Sequence, residues 1–144
     1  MHGFNQGVSL LNSMCNKNEL NIDCIFVQEH WLTPGNVRRL DCLSDCYTFY
    51  GISAMEKVVS ASVLRGRPFG GVGFLLKHDL CKHVKYQHLD ERFAIIVFDN
   101  IVLTTIYLPS GSTIEDIDII TETLANIDII LTQLQPQAMR VMLM

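Results

Sequence analysis

The chain has 144 residues, 49% of them apolar and 18% charged, which excludes a disordered polymer and is enough for one domain with its own core. The formal net charge of −4 excludes a uniformly basic surface, so contact with a polyanion would have to come from a local group of Lys and Arg. No apolar run reaches the roughly 20 residues that span a bilayer, no basic-then-apolar leader opens the chain, and five scattered cysteines form neither a CxxC pair nor an even disulfide framework. The expectation is an intracellular, reducing setting with no membrane and no disulfide partner.

Phe4, Val8, Leu11 and Cys15, with Leu10 and Met14 beside them, keep the spacing of an amphipathic helix. Polar residues 16–21 read as a turn. Ile22 to Val27 is an almost wholly apolar run with β-branched and aromatic members, and predicts a strand buried on both faces. It ends abruptly in Gln28, Glu29 and His30. A carboxylate there sits at the rim of a sheet, held by a rigid element and open to a cleft, so Glu29 is a candidate metal-binding residue. The plainer alternative is that Glu29 caps a following helix. Thr33-Pro34 predicts a helix start, with Val37, Leu40 and Leu43 lining its buried side.

Cys46 to Ile52 predicts a strand, and residues 53–69 a long surface loop ending in basic residues. Gly70, Gly71 and Gly73 have neither phosphate-loop spacing nor a helix behind them; they predict a strand edge packed tightly on a neighbouring backbone. His83–Leu89, Arg92–Phe98 and Ile101–Tyr107 predict three consecutive strands, with Asp99-Asn100 as a tight turn. His78, His83 and His88, five apart, suit neither a helix face nor one side of a strand, and are not read as metal ligands. Ser112 to Glu115 has the pattern of a capping box opening the longest helix. Ile117, Ile120, Leu124, Ile127, Leu131 and Leu134 form its predicted buried stripe. The acids beside that stripe read as a solvated face, and Pro136 ends the helix. Met139 to Met144 predicts a further strand. Between Arg65 and Arg92 six basic residues face three acidic ones; after Arg92 six acids stand against Arg140 alone. One region can therefore meet a polyanion while another meets water.

Three stretches, in order, resemble one family. The run from Asp23 through Gln28-Glu29-His30-Trp31-Leu32 resembles the strand-end motif of the endonuclease/exonuclease/phosphatase superfamily, and most nearly the apurinic-like endonuclease domains of non-LTR (LINE-type) retrotransposons. Gly66 to Gly73 resembles the corresponding strand start of those domains. Ile101 to Ser110 resembles the strand that carries Tyr-x-Pro into their active site, with Ser110 where Asn is usual. Gly3-Phe4 looks like the family's Gly-containing turn, whose metal-site Asn would fall immediately upstream of Met1.

The resemblance implies an α/β (α+β) fold, a two-sheet β-sandwich flanked by helices. Residues 1–144 would form a single partial domain, lacking the first strand and the C-terminal third to half. It implies one Mg²⁺ (or Mn²⁺) held by Glu29, with Glu29 and Tyr107 as catalytic residues. Gln28, Arg92 and Ser110 would be substrate-binding residues. DNA would be the partner, nicked to prime reverse transcription in the nucleus, and a reverse transcriptase domain is expected downstream in the parent element. Two family motifs, Gly-Asp-x-Asn and Ser-Asp-His, do not occur in this sequence, so the chain alone is expected to be inactive. The alternatives are a superfamily phosphatase acting on another phosphoester and a non-catalytic, nucleic-acid-binding remnant.

Overall fold

The computed structural model describes residues 3–16, 21–57, 68–99, 101–134 and 140–143, the last segment by its backbone. Residues 58–67 of the expected loop, with Arg65 and Arg67, lie outside the described residues, as do Asn100, Pro136 and Met139.

Helix α1 (Phe4–Asn16) forms where the apolar spacing predicts it, and buries Phe4, Gly7, Leu11 and Cys15. Strands β1 (Cys24–Gln28), β2 (Tyr47–Ile52) and β3 (Val72–Lys77) form an antiparallel sheet in the order β1-β3-β2. A short helix, α2 (His78–Cys81), then leads into a second sheet. That sheet holds β4 (Val84–Leu89), β5 (Phe93–Phe98), β6 (Ile101–Ile106) and β7 (Arg140–Leu143), in sequence order. Neighbours are antiparallel except β6 and β7, which are parallel because the long helix α3 (Ile114–Leu134) carries the chain back between them.

The burial pattern stacks these parts into helix, sheet, sheet, helix. Ile25, Val27, Tyr47, Phe49 and Leu75 turn one face of the first sheet toward Phe4, Leu11 and Cys15 of α1. Val72, Phe74 and Leu76 on its other face meet Ala94, Ile96 and Leu103 of the second sheet. Phe93, Ile95, Val97 and Val102 on the far face receive Ile127 of α3. Strand β1 has apolar contacts on both sides, as its composition predicts: Ile25 and Val27 toward α1, Cys24 and Phe26 toward the second sheet. Each such side chain, fully buried, contributes about 1.5–3 kcal/mol of transfer free energy.

The sequence reading needs correction at several points. The helix start expected at Thr33-Pro34 forms, with Thr33 at the N-cap position and Pro34 in the first turn, but the segment is two 3₁₀ turns, Pro34–Arg39 and Asp41–Leu43. The Asn36 side-chain amide occupies the Thr33 hydroxyl at 3.0 Å, which makes no cap bond to the backbone, and the turns close through short bonds such as Leu40 N–H to Val37 C=O at 3.0 Å. Leu40 and Leu43 are nevertheless buried. The capping box of α3 lies one residue later than expected. Asp116 accepts from the Thr113 N–H at 3.1 Å while its own N–H donates to the Thr113 hydroxyl at 3.2 Å. The buried face of α3 is also rotated: Thr123 and Ile127 point inward, whereas Ile117 and Leu124 are exposed. Gly73 sits in the central strand, not at an edge. There it pairs with Gly51, and a Cβ on it would lie 2.6 Å from the Gly51 Cα. All five cysteines are free, and burial is the main cause pushing the Cys24 thiol up to about 12.

Candidate functional site

Strands β1 and β6 belong to different sheets, yet their ends meet at one rim. Gln28, the last residue of β1, faces the second sheet. Its side-chain amide donates to the Thr105 hydroxyl at 3.1 Å and to the Ile106 carbonyl at 2.9 Å. This pair of bonds ties the end of β1 to the end of β6. The next residue on each strand is then a functional candidate: Glu29 after β1, Tyr107 after β6. The Tyr107 phenol is held above the usual tyrosine range, first by burial and then by the Glu29 carboxylate; Arg92 pulls the other way. At neutral pH the phenol is therefore protonated and able to donate.

Arg92 reaches this place through the sheet. It immediately precedes β5, and its carbonyl accepts the Tyr107 N–H at 2.7 Å. Its positive charge bears on both Tyr107 and Asp116, the latter in the first turn of α3. Glu29, Tyr107, Gln28 and Arg92 are thus brought to one rim, whereas Ser110 lies exposed in the link to α3. Gln28 acts visibly as a tie between the sheets: the amide nitrogen expected to meet substrate is engaged by Thr105 and Ile106.

The backbone carrying Glu29 is strained. Glu29 and Trp31 both have φ of 54°, a left-handed conformation that costs an L-residue about 1–2 kcal/mol. Surrounding bonds over-determine it. Glu29 N–H donates to Gly71 C=O at 2.8 Å and Trp31 N–H to Gly70 C=O at 2.9 Å. From the other side, Gly3 N–H donates to Glu29 C=O at 2.9 Å and Phe4 N–H to His30 C=O at 2.7 Å. Between these anchors the His30 ring points inward and is wholly buried. Its Nδ1 accepts the Leu32 N–H at 3.1 Å, and its Nε2 lies 3.1 Å from the Ile52 carbonyl. Those partners require the neutral tautomer with the proton on Nε2. Burial lowers the proton affinity of this imidazole, outweighing the bond to Ile52.

His30 and Gly71 are the residues that sequence reasoning passed over. The glycine cluster was the available signal, since two adjacent glycines can admit a ring where a Cβ would block it. Trp31 also lines a cleft of about 390 Å³ with Phe4, Asn36 and Arg39, whose guanidinium stands 4.5 Å above the Phe4 ring.

As a metal site the arrangement offers one hard carboxylate, Glu29. Among the described residues no group of three His, Cys, Asp or Glu side chains could hold a metal ion. One carboxylate suits Mg²⁺ or Mn²⁺, which keep several waters and bind phosphate oxygen directly; it does not suit zinc. Two of the three spaced histidines are engaged elsewhere: His88 stacks on Phe93 with ring centroids 5.3 Å apart, and His83 lies 3.4 Å from the Asp99 carboxylate. No protein-family model matches the chain, and no curated protein matches it.

Proposed function

We propose that this chain is the N-terminal part of a metal-dependent phosphodiesterase of the endonuclease/exonuclease/phosphatase type, a DNA-nicking endonuclease of a LINE-type retrotransposon. One observation carries the reading. Gln28, the last residue of β1, is hydrogen-bonded to Thr105 and Ile106 at the end of β6, so the acidic residue after the one strand and the tyrosine after the other stand at a common rim. Composition alone gives no reason for those two residues, 78 positions apart, to meet. The helix–sheet–sheet–helix layering supports the same reading.

A phosphodiester resists attack because the nucleophile approaches an anion, so a site must neutralise charge and assist the leaving oxygen. Glu29 would hold Mg²⁺ or Mn²⁺, which supplies Lewis-acid neutralisation of the phosphate when bound. Tyr107, kept protonated, would donate a hydrogen bond to a phosphate or leaving oxygen. Arg92 adds positive charge at the same rim. Gln28 holds the two strand ends together. Nucleophile activation would fall to the Gly-Asp-x-Asn and Ser-Asp-His stretches, which this sequence does not contain. Removing members of a set that acts as a unit removes most of its effect.

The 144-residue chain is therefore expected to leave supercoiled plasmid intact in Mg²⁺. Nicking that Glu29→Gln abolishes would show that residues of this chain supply the whole machinery. The metal assignment is read separately, from water-proton relaxation with Mn²⁺. Glu29→Gln should weaken Mn²⁺ binding and Glu115→Gln should not; equal binding by both variants would remove Glu29 as the ligand. The net charge of −4 favours a second reading, a remnant that does no chemistry. Binding to duplex DNA that weakens with salt, without cleavage, would support it.

A further inference from the structure

We propose that the outward face of α3 is one half of a coiled-coil seam, and that a basic amphipathic helix of another protein docks on it. Ile114, Ile117, Thr121, Leu124, Asp128 and Leu131 recur at alternating steps of three and four residues. That is the spacing of one seam of a two-helix coiled coil, kept up over about five turns. A helix lying on a sheet needs no such second stripe, and α3 already has its inward face. Thr123 and Ile127 are buried, and Ile130 and Leu134 pack beside them against the second sheet. The seam is turned away from that sheet. Ile114 is 80% exposed, Ile117 54% and Leu124 47%, and Thr121 and Asp128 are exposed with them; of the six, Leu131 alone leans on the core.

Charge selects the occupant. α3 carries five acids and no Lys or Arg among its 21 residues. Asp128 stands in the seam itself, and Asp118 flanks it beside Ile117. Such a face repels nucleic acid and anionic membranes. A second copy of the chain would set one acidic helix against another, with Asp128 facing either its own counterpart or an aliphatic side chain. A helix with aliphatic residues at seam spacing and a Lys or Arg opposite Asp128 answers both features: it covers the exposed row and pairs the one charge within it. Asp128 then fixes the register and rejects helices that lack the matching cation. None of this depends on the phosphodiester chemistry at the rim.

The probe is a synthetic three-heptad helix with leucine at its seam positions, one lysine placed to face Asp128 and further lysines on its flanks, labelled for fluorescence anisotropy. The intact chain should bind it, and more weakly as salt is added. The same peptide with glutamate for every lysine should not bind. Leu124→Ser and Ile117→Ser should each weaken binding about tenfold or more. Ile129→Ser, as exposed as Ile117 but off the seam, should leave it unchanged. Asp128→Lys should reverse the preference at one position: it should bind the peptide whose facing lysine is changed to glutamate better than the original. These side chains are exposed, so circular dichroism should stay native; should a serine variant unfold, the charge reversal decides alone. No binding, binding unmoved by Leu124→Ser or by the charge reversal, or an equal loss in Ile129→Ser would overturn the proposal. So would a dimer of the chain in sedimentation that Leu124→Ser abolishes, because the seam would then belong to a second copy.

Discussion

Replacing Gly71 with alanine puts a methyl group where the His30 ring already lies. The new Cβ would stand 2.3 Å from both Cε1 and Nε2, and the residue would keep a φ of +90°. The ring cannot step aside cheaply, because it is wholly buried and bonded at both nitrogens. Left-handed backbone costs an L-residue about 1–2 kcal/mol. Forcing a methyl into a packed interior adds about 1–3 kcal/mol. The expected loss is therefore about 2–5 kcal/mol, a large share of the roughly 5–15 kcal/mol that holds a domain folded. At roughly 4 °C per kcal/mol for a chain of this size, Tm should fall by about 8–20 °C. Gly35→Ala is the matched control: no atom lies within 4 Å of its Cβ position, and its effect should stay within about 0.5 kcal/mol. Thermal melts of the two variants side by side give the answer. Equal midpoints would mean that His30 does not sit under Gly71, and the account of the strained turn would fail with it.

Two further outcomes follow from buried polar groups. His30 binds a proton less readily when folded than when unfolded, so its contribution to stability is complete above about pH 6.5 and is lost as pH falls through 6.5 toward the lower folded-state value. Urea midpoints should drop between about pH 6.5 and 5, ahead of carboxylate titration, and subtracting the His30→Phe profile should remove that step; coincident slopes would show that another group is responsible. Among the described residues, none gives the buried Thr104 hydroxyl a hydrogen-bond partner. Thr104→Val should raise stability by about 1 kcal/mol in urea denaturation, since it removes an unsatisfied group while keeping the branched shape; a lower midpoint would reveal a partner for that hydroxyl.

Strands were the most legible part of the fold. β1, β2, β5 and β6 each announce themselves through short apolar or aromatic runs, and helices α1 and α3 through apolar spacing. What the sequence hid was orientation. The stripe through Ile117 and Leu124 is as apolar as the one that is buried, and only the position of the second sheet decides that Thr123 and Ile127 face inward. The segment 34–43 carries helical spacing, but the Asn36 amide occupies the Thr33 hydroxyl and the segment closes as 3₁₀ turns. At the site, Glu29 and Tyr107 could be named from their strand-end positions. Gln28 could be named, but not its task, because a bond to Thr105 is a fact about how two sheets stack. His30 could be named at the strand end, but not its burial: apart from Leu32, its neighbours come from β2, the start of β3 and the start of α1, all far from it in the chain.

The bonds from Gln28 have a mechanical implication. Glu29 and Tyr107 ride on different sheets, and the sheets touch chiefly through apolar side chains, which resist separation but offer little resistance to sliding. A slip of one strand residue, about 3.3 Å, would carry the acid away from the phenol without breaking a rung of either ladder. The amide of Gln28 acts as a dowel against that slip, so the molecule could keep its secondary structure and its compactness while losing its alignment. Substitutions at Gln28 should then be felt as a mistuned rim long before they are felt as unfolding.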